Sequence, residues 1–125
     1  TPSKRGGGSR KISVSKFVEE GEWVLNSTGW WYRMNDGTWP AAQWKQVKNV
    51  WYHFDQNGYM QTGWLLDDGK WYYLKSDGSM AENEWVFHKN LWYYVDASGQ
   101  MLANTTVTWK NVTYSLGADG AMLEK

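Results

Sequence analysis

Tryptophan, glycine and methionine recur along this chain with a period of 20 or 21 residues. A period of that length constrains the fold more than any local propensity, because one such unit is too short to bury an apolar face alone. Trp23, Trp44, Trp64 and Trp85 form one column, completed by Thr106, and Trp30, Trp51, Trp71, Trp92 and Thr113 form a second, seven residues later. Gly37, Gly58, Gly78, Gly99 and Gly120 make a third column. A fourth follows two residues on, with Trp39, Met60, Met80, Met101 and Met122. The single-residue slip lies in the connector, which has three residues at Gln61-Thr62-Gly63 and four at Ala81-Glu82-Asn83-Glu84.

The run that opens at the second column is short and aromatic, as in Trp71-Tyr72-Tyr73-Leu74 and Trp92-Tyr93-Tyr94-Val95, which favours a pleated strand over a helix. Asp36-Gly37, Asn57-Gly58, Asp77-Gly78, Ser98-Gly99 and Asp119-Gly120 supply the positive-φ residues of tight turns and predict five hairpins. No segment carries a sustained 3.6-residue apolar stripe. Units that cannot stand alone must stack, so the expected fold is all-β, a β-solenoid of about five stacked β-hairpin repeats. A compact β-sandwich would explain the strands but not the fixed period.

Rings must build the core, because 11 Trp, 8 Tyr and 3 Phe stand in a chain poor in Ile, Leu and Val. Each buried ring removes roughly 150–250 Å² from water, so a few per unit suffice and a surplus is left as binding surface. There is no cysteine, hence no disulfide or thiolate metal site. The formal net charge is zero, which argues against a nucleic-acid partner. Apolar runs fall short of a membrane span, so no membrane insertion is expected, and no apolar stretch of a signal peptide opens the sequence. His53 and His88 hold different positions in their repeats, so neither a metal site nor a triad is expected, and no cofactor is implied. Asp36, Asp77 and Asp119 precede glycines and read as turn formers, while Asn26, Asn104 and Asn111 open formal glycosylation triplets. Residues 1–20 read as a flexible basic linker or arm, with Lys4, Arg5, Arg10, Lys11 and Lys16 around Gly6-Gly7-Gly8-Ser9, and residues 13–18 could add an edge strand.

Alternation along a strand puts Trp71 and Tyr73 on one face, with Tyr72 and Leu74 on the other. Repeated at each step of a stack, one face sets Trp and Tyr rings of adjacent hairpins around a common gap. Ring faces attract a quaternary ammonium by about 0.5–2 kcal/mol per favourable contact. A trimethylammonium group donates no N–H hydrogen bond, so aromatic walls and a soft Met thioether suit it better than carboxylates.

The stretches Gly63-Trp64, Gly69-Lys70-Trp71-Tyr72-Tyr73 and Gly78-Ser79-Met80, with Trp92-Tyr93-Tyr94 and Gly99-Gln100-Met101, resemble the choline-binding repeats of streptococcal autolysins, phage lysins and surface proteins. The resemblance covers residues 21–125. It implies a left-handed solenoid of β-hairpins that binds choline or phosphocholine of teichoic and lipoteichoic acids, in a secreted protein held at the bacterial cell wall. It also implies sites built from both column Trp residues of one repeat and the second Tyr of the next. Carried over, Trp44 and Trp51 with Tyr73 form one site and Trp64 and Trp71 with Tyr94 another, with Met80 and Met101 as apolar supplements. The ends depart from the pattern. Trp23 and Trp30 would meet His53, whose protonated form repels a cation, and Trp31-Tyr32 could replace Trp30-Trp31 as the equivalent pair. Trp85 and Trp92 would meet Ser115, and the fifth repeat, with Thr106 and Thr113, reads as a degenerate C-terminal cap. Such a module is non-catalytic, although a full-length parent could carry an enzyme. Two other readings stay open: a glucan-binding or other carbohydrate-binding repeat, and a structural spacer or self-association module such as a homodimer.

Overall fold

The computed structural model describes residues 20–123. The basic arm expected over 1–20 therefore lies, Glu20 apart, outside the described residues, as does the edge strand expected over 13–18. Ten strands follow in order: β1 (Gly21–Leu25), β2 (Trp30–Met34), β3 (Gln43–Val47), β4 (Val50–Phe54), β5 (Gly63–Asp67), β6 (Lys70–Leu74), β7 (Glu84–His88), β8 (Leu91–Val95), β9 (Thr105–Trp109) and β10 (Val112–Leu116). They pair consecutively into five two-stranded sheets, and the described residues contain no helix. The five hairpins expected from the glycine turns are present among the described residues. The described residues gather into two compact units, the first of residues up to 45 with 53–60 and the second of residues 46–52 with those from 61 onward.

The turns that join paired strands are not the ones expected. Lys48-Asn49, Asp68-Gly69, Lys89-Asn90 and Lys110-Asn111 carry two consecutive positive φ values, between 50 and 78°, as the primed turn of a two-residue hairpin requires. They lie between the first and second columns. The first hairpin has a longer turn, closed by Asn26, whose Oδ1 accepts hydrogen bonds from the backbone N–H groups of Thr28 and Gly29.

The glycine column closes a second set of turns, beyond each hairpin. Gly37, Gly58, Gly78, Gly99 and Gly120 each donate N–H to the carbonyl three residues back, at 2.8–3.0 Å. Asp36, Asp77 and Asp119 are turn formers as expected, accepting from the backbone of Thr38, Ser79 and Ala121. Hydrogen bonds from the Thr38 and Ser79 hydroxyls and amides hold the Asp36 and Asp77 carboxyls below the usual carboxylate range. A folded pKa below the unfolded value favours the native state above about pH 4, and that contribution fades as pH falls through the lowered values. Ser79→Ala should therefore flatten the fall in thermal midpoint on acidification below about pH 4; an unchanged acid limb would show that this turn does not contribute.

Successive repeats are tied by backbone as well as by rings. Met60 N–H donates to the Trp30 carbonyl at 2.8 Å in the first unit. In the second unit Met80, Met101 and Met122 donate to Trp51, Trp71 and Trp92 at 2.9, 2.8 and 2.7 Å. The fourth-column side chains lie over the glycine of the next turn: a Cβ built on Gly99 would stand 2.6 Å from Met80 Sδ, and one on Gly120 2.5 Å from Met101 Sδ. In the first unit Trp39 covers Gly58 in the same way. Only a residue without a side chain both adopts φ near +90° and admits so close an approach.

The connector slip has a local backbone cause. Ala42, Asn83 and Asn104 take φ of 54, 51 and 54° two residues before the first column, whereas the shorter connector places Gly63, at φ 86°, directly before Trp64. In the second unit Ala81, Val86 and Val95 form a buried cluster against which Trp64, Tyr73, Tyr93 and Met101 pack. In the first, Trp23 stacks on fully buried Phe54 at 5.7 Å and meets Tyr32 edge-on at 5.2 Å.

Candidate functional site

Strand alternation divides each hairpin of the second unit into two faces. In β7–β8, Trp85 lies opposite Tyr94 and Phe87 opposite Trp92, so these four rings share a face. Val86 lies opposite Tyr93 and His88 opposite Leu91, on the other. In β5–β6 the first face holds Trp64, Tyr73, Leu66 and Trp71. The two column tryptophans take the same pose in both hairpins: Trp64 and Trp71 are 6.4 Å apart with planes at 88°, and so are Trp85 and Trp92. Trp71 and Trp92 remain 41 and 42% exposed, so each Trp pair has one wall open to solvent.

The following hairpin supplies a third ring. Tyr93 meets Trp64 at 5.0 Å, and Tyr114 meets Trp85 at 5.3 Å, both edge-on. A further aromatic stands beside each: His88, 6.3 Å from Trp64 and 5.8 Å from Tyr73, and Trp109, 6.3 Å from Trp85. Lys110 Nζ lies 4.5 Å from the Trp109 ring centre. Trp64, Trp71 and Tyr93 thus form one three-ring constellation, and Trp85, Trp92 and Tyr114 a second. Trp85 Nε1 is buried without a hydrogen-bond partner among the described residues, a cost of about 1–3 kcal/mol. Four aromatic contacts, to Trp92, Tyr94, Trp109 and Tyr114, contribute about 0.5–1.5 kcal/mol each and outweigh it.

The expected third rings fall one residue away from these positions. Tyr94 lies across its own hairpin, 5.1 Å from Trp85, and Tyr73 likewise, 5.0 Å from Trp64. Of this Tyr pair it is Tyr93, and not Tyr94, whose ring meets Trp64. Similarly, Ser115 pairs with Thr106, and Tyr114 is the residue that reaches Trp85. The signal that finds Tyr93 and Tyr114 is the alternation itself. A face presented to the following hairpin cannot also look back at the preceding one, so the first Tyr of each run must do so.

The other expected residues lie as follows. His53 is buried and meets Trp44 edge-on, 4.9 Å away in the first unit. Trp30 pairs with Leu25, the register that Trp71 and Trp92 hold with Leu66 and Phe87, so Trp30 and not Trp31 is the second-column equivalent. Trp51 belongs to the second unit, is 40% exposed, and accepts the Met80 N–H on its carbonyl. Met80 and Met101 pack over turn glycines, and Met101 shares the cluster under Trp64 and Tyr93. The described residues hold no group of His, Asp or Glu placed to share a metal ion, and no helix long and apolar enough to cross a membrane.

The family model for the choline-binding repeat matches residues 41–85 and 68–109. Among solved structures, the multimodular pneumococcal cell-wall endolysin from phage Cp-1, complexed with choline, is 42% identical, with 85% of this chain and 31% of that chain covered and a TM-score of 0.74. A choline-binding domain from Streptococcus pneumoniae is 38% identical, with 68% of this chain and 98% of that chain covered and a TM-score of 0.60. An alternansucrase complexed with isomaltotriose, at 22% identity, 82 and 10% coverage and a TM-score of 0.72, shares the fold alone. The chain spans 31% of the endolysin's length. No curated protein matches it.

Proposed function

The chain belongs to the choline-binding repeat family, and from that premise we propose that its three-ring constellations capture the trimethylammonium groups of choline on cell-wall teichoic or lipoteichoic acid. The module is an anchor without a reaction of its own, and its hairpins stack as a left-handed β-solenoid that holds the parent protein at the bacterial surface. The observation that carries this reading is the repeated geometry: the same orthogonal Trp pair, completed by a Tyr from the next hairpin, occurs twice in the second unit. A sugar site would need convergent donors and acceptors at a fixed register, whereas these two constellations repeat ring faces. Three rings at about 0.5–2 kcal/mol each give one cage an affinity near the millimolar range. Firm anchoring then comes from several cages engaging one polymer, where linkage raises avidity by about 10²–10⁴.

Intrinsic Trp fluorescence and thermal midpoint should respond saturably to choline and tetramethylammonium, and the cage response should be absent with glucose oligomers. Tyr93→Phe should bind choline within about two-fold of the parent, because the ring face is retained. Tyr93→Ala should weaken the cage with Trp64 and Trp71 by about ten-fold. Loss of binding in Tyr93→Phe with the fold intact would exclude the cation–π account at this site.

A further inference from the structure

The first unit contains a cleft of a different chemistry. It has a volume of about 190 Å³ and is lined by Asn26, Trp31, Trp39, Asn57 and Tyr59. Its aromatic walls are departures from the repeat. Trp31 stands where the later repeats have Tyr52, Tyr72, Tyr93 and Tyr114, and Trp39 where they have methionine. Tyr59 stands where the third, fourth and fifth repeats have Ser79, Gln100 and Ala121. Three residues from separate stretches of the chain, each unlike its counterparts in the later repeats, line one cavity. The backbone holds them together: Trp31 and Tyr59 are joined by an antiparallel bridge, and Trp39 is wedged over Gly58.

We infer that this cleft is a second binding site, for one ring of a neutral oligosaccharide. Trp31 and Trp39 meet at 5.6 Å with planes at 77°, so one indole face forms a floor and the other ring a wall. Trp39 is 52% exposed. The C–H face of a pyranose is apolar and carries slight positive charge, which suits the negative face of an indole. The sugar hydroxyls need donors and acceptors, and the rim supplies them. Asn26 Nδ2 donates to the Tyr59 hydroxyl oxygen at 3.0 Å, which leaves the tyrosine's own proton to be donated to a ligand. The Asn57 amide adds two donors and an acceptor. No lining residue is charged, which favours a neutral ligand, and the volume lies below the roughly 300–1,000 Å³ of drug-sized sites, which favours a single ring. A trimethylammonium group would use the rings but leave the amides and the hydroxyl desolvated and unpaired, at a cost that a sugar avoids.

The test follows the indole N–H resonances of the whole chain by NMR, with choline at saturation, on adding isomaltotriose, cellotriose or chitotriose. At least one trisaccharide should shift the Trp31 and Trp39 signals saturably. Trp39→Ala should abolish that response. Because Trp39 also packs on Gly58, the decisive variants are Tyr59→Phe and Asn57→Ala, each expected to weaken sugar binding by about three- to ten-fold with the Trp64 and Trp85 signals still responsive to choline. Silence of Trp31 and Trp39 toward all three sugars, movement of those signals by choline alone, or full sugar binding in both decisive variants would each overturn the site. None of those results bears on the second-unit cages, whose failure would show instead as unresponsive Trp64 and Trp85 signals.

Discussion

Trp85→Ala is expected to lower stability by about 3–5 kcal/mol, the range for truncating a large core ring, and to abolish the choline response of the cage formed with Trp92 and Tyr114. Both effects share a cause. Trp85 contacts Tyr94 and Trp92 within its own hairpin and Tyr114 and Trp109 in the next. Its ring is at once the floor of the site and the joint between two hairpins. In an array where each unit is stabilised mainly by its neighbours, the loss should concentrate on β7–β10. Denaturant unfolding of the chain, with choline titration of the folded variant, measures both. A loss under about 1 kcal/mol would mean that the inter-hairpin rings are surface decoration and not structure.

Gly58→Ala should cost about 2–4 kcal/mol, while Gly37→Ala should cost about 1 kcal/mol. The two glycines share a conformation, with φ of 92 and 90°, so the backbone penalty is common to both. Their surroundings differ. A Cβ on Gly37 would meet nothing within 4 Å, whereas one on Gly58 would stand 2.6 Å from Trp39 Cδ1 and 3.0 Å from its Nε1. A rigid indole, itself held against Trp31, cannot bend away as a methionine side chain can. Equal thermal midpoints for the two variants would show that Trp39 does not rest on this turn.

Much of the fold was legible in advance because the period reports the hairpin directly: the Trp columns, seven residues apart, bracket each tight turn. The position of that turn is not evident from sequence, because the Asp-Gly and Asn-Gly pairs of the third column carry the stronger turn signal. Lys48-Asn49, Lys89-Asn90 and Lys110-Asn111 look unremarkable in sequence, yet their asparagines tolerate the left-handed conformation at the second turn position. The orthogonal pairs Trp64–Trp71 and Trp85–Trp92 are legible for the same reason as the period. Tyr93 and Tyr114 follow from the alternation only once the Trp face is taken to look toward the next hairpin, which turns the first Tyr of each run back toward the preceding one. Trp31, Trp39 and Tyr59 are visible in sequence only as broken columns, and their convergence depends on the backbone bridge between Trp31 and Tyr59.

The fifth hairpin lacks the rings of the fourth on one face only. It receives the ring of Trp85 through Tyr114 and Trp109, but on its opposite face Thr106, Thr108, Thr113 and Ser115 stand where the fourth hairpin has Trp85, Phe87, Trp92 and Tyr94. All four of these hydroxyl-bearing residues are exposed, and the Thr108 and Thr113 hydroxyls are 3.0 Å apart, bonded to each other. Had that face kept its rings, it would offer any second molecule the same invitation that each hairpin offers the next, and head-to-tail contacts of that kind propagate into fibres. With two of its hydroxyls bonded to each other, this face presents no ring on which a further hairpin or a second molecule could stack.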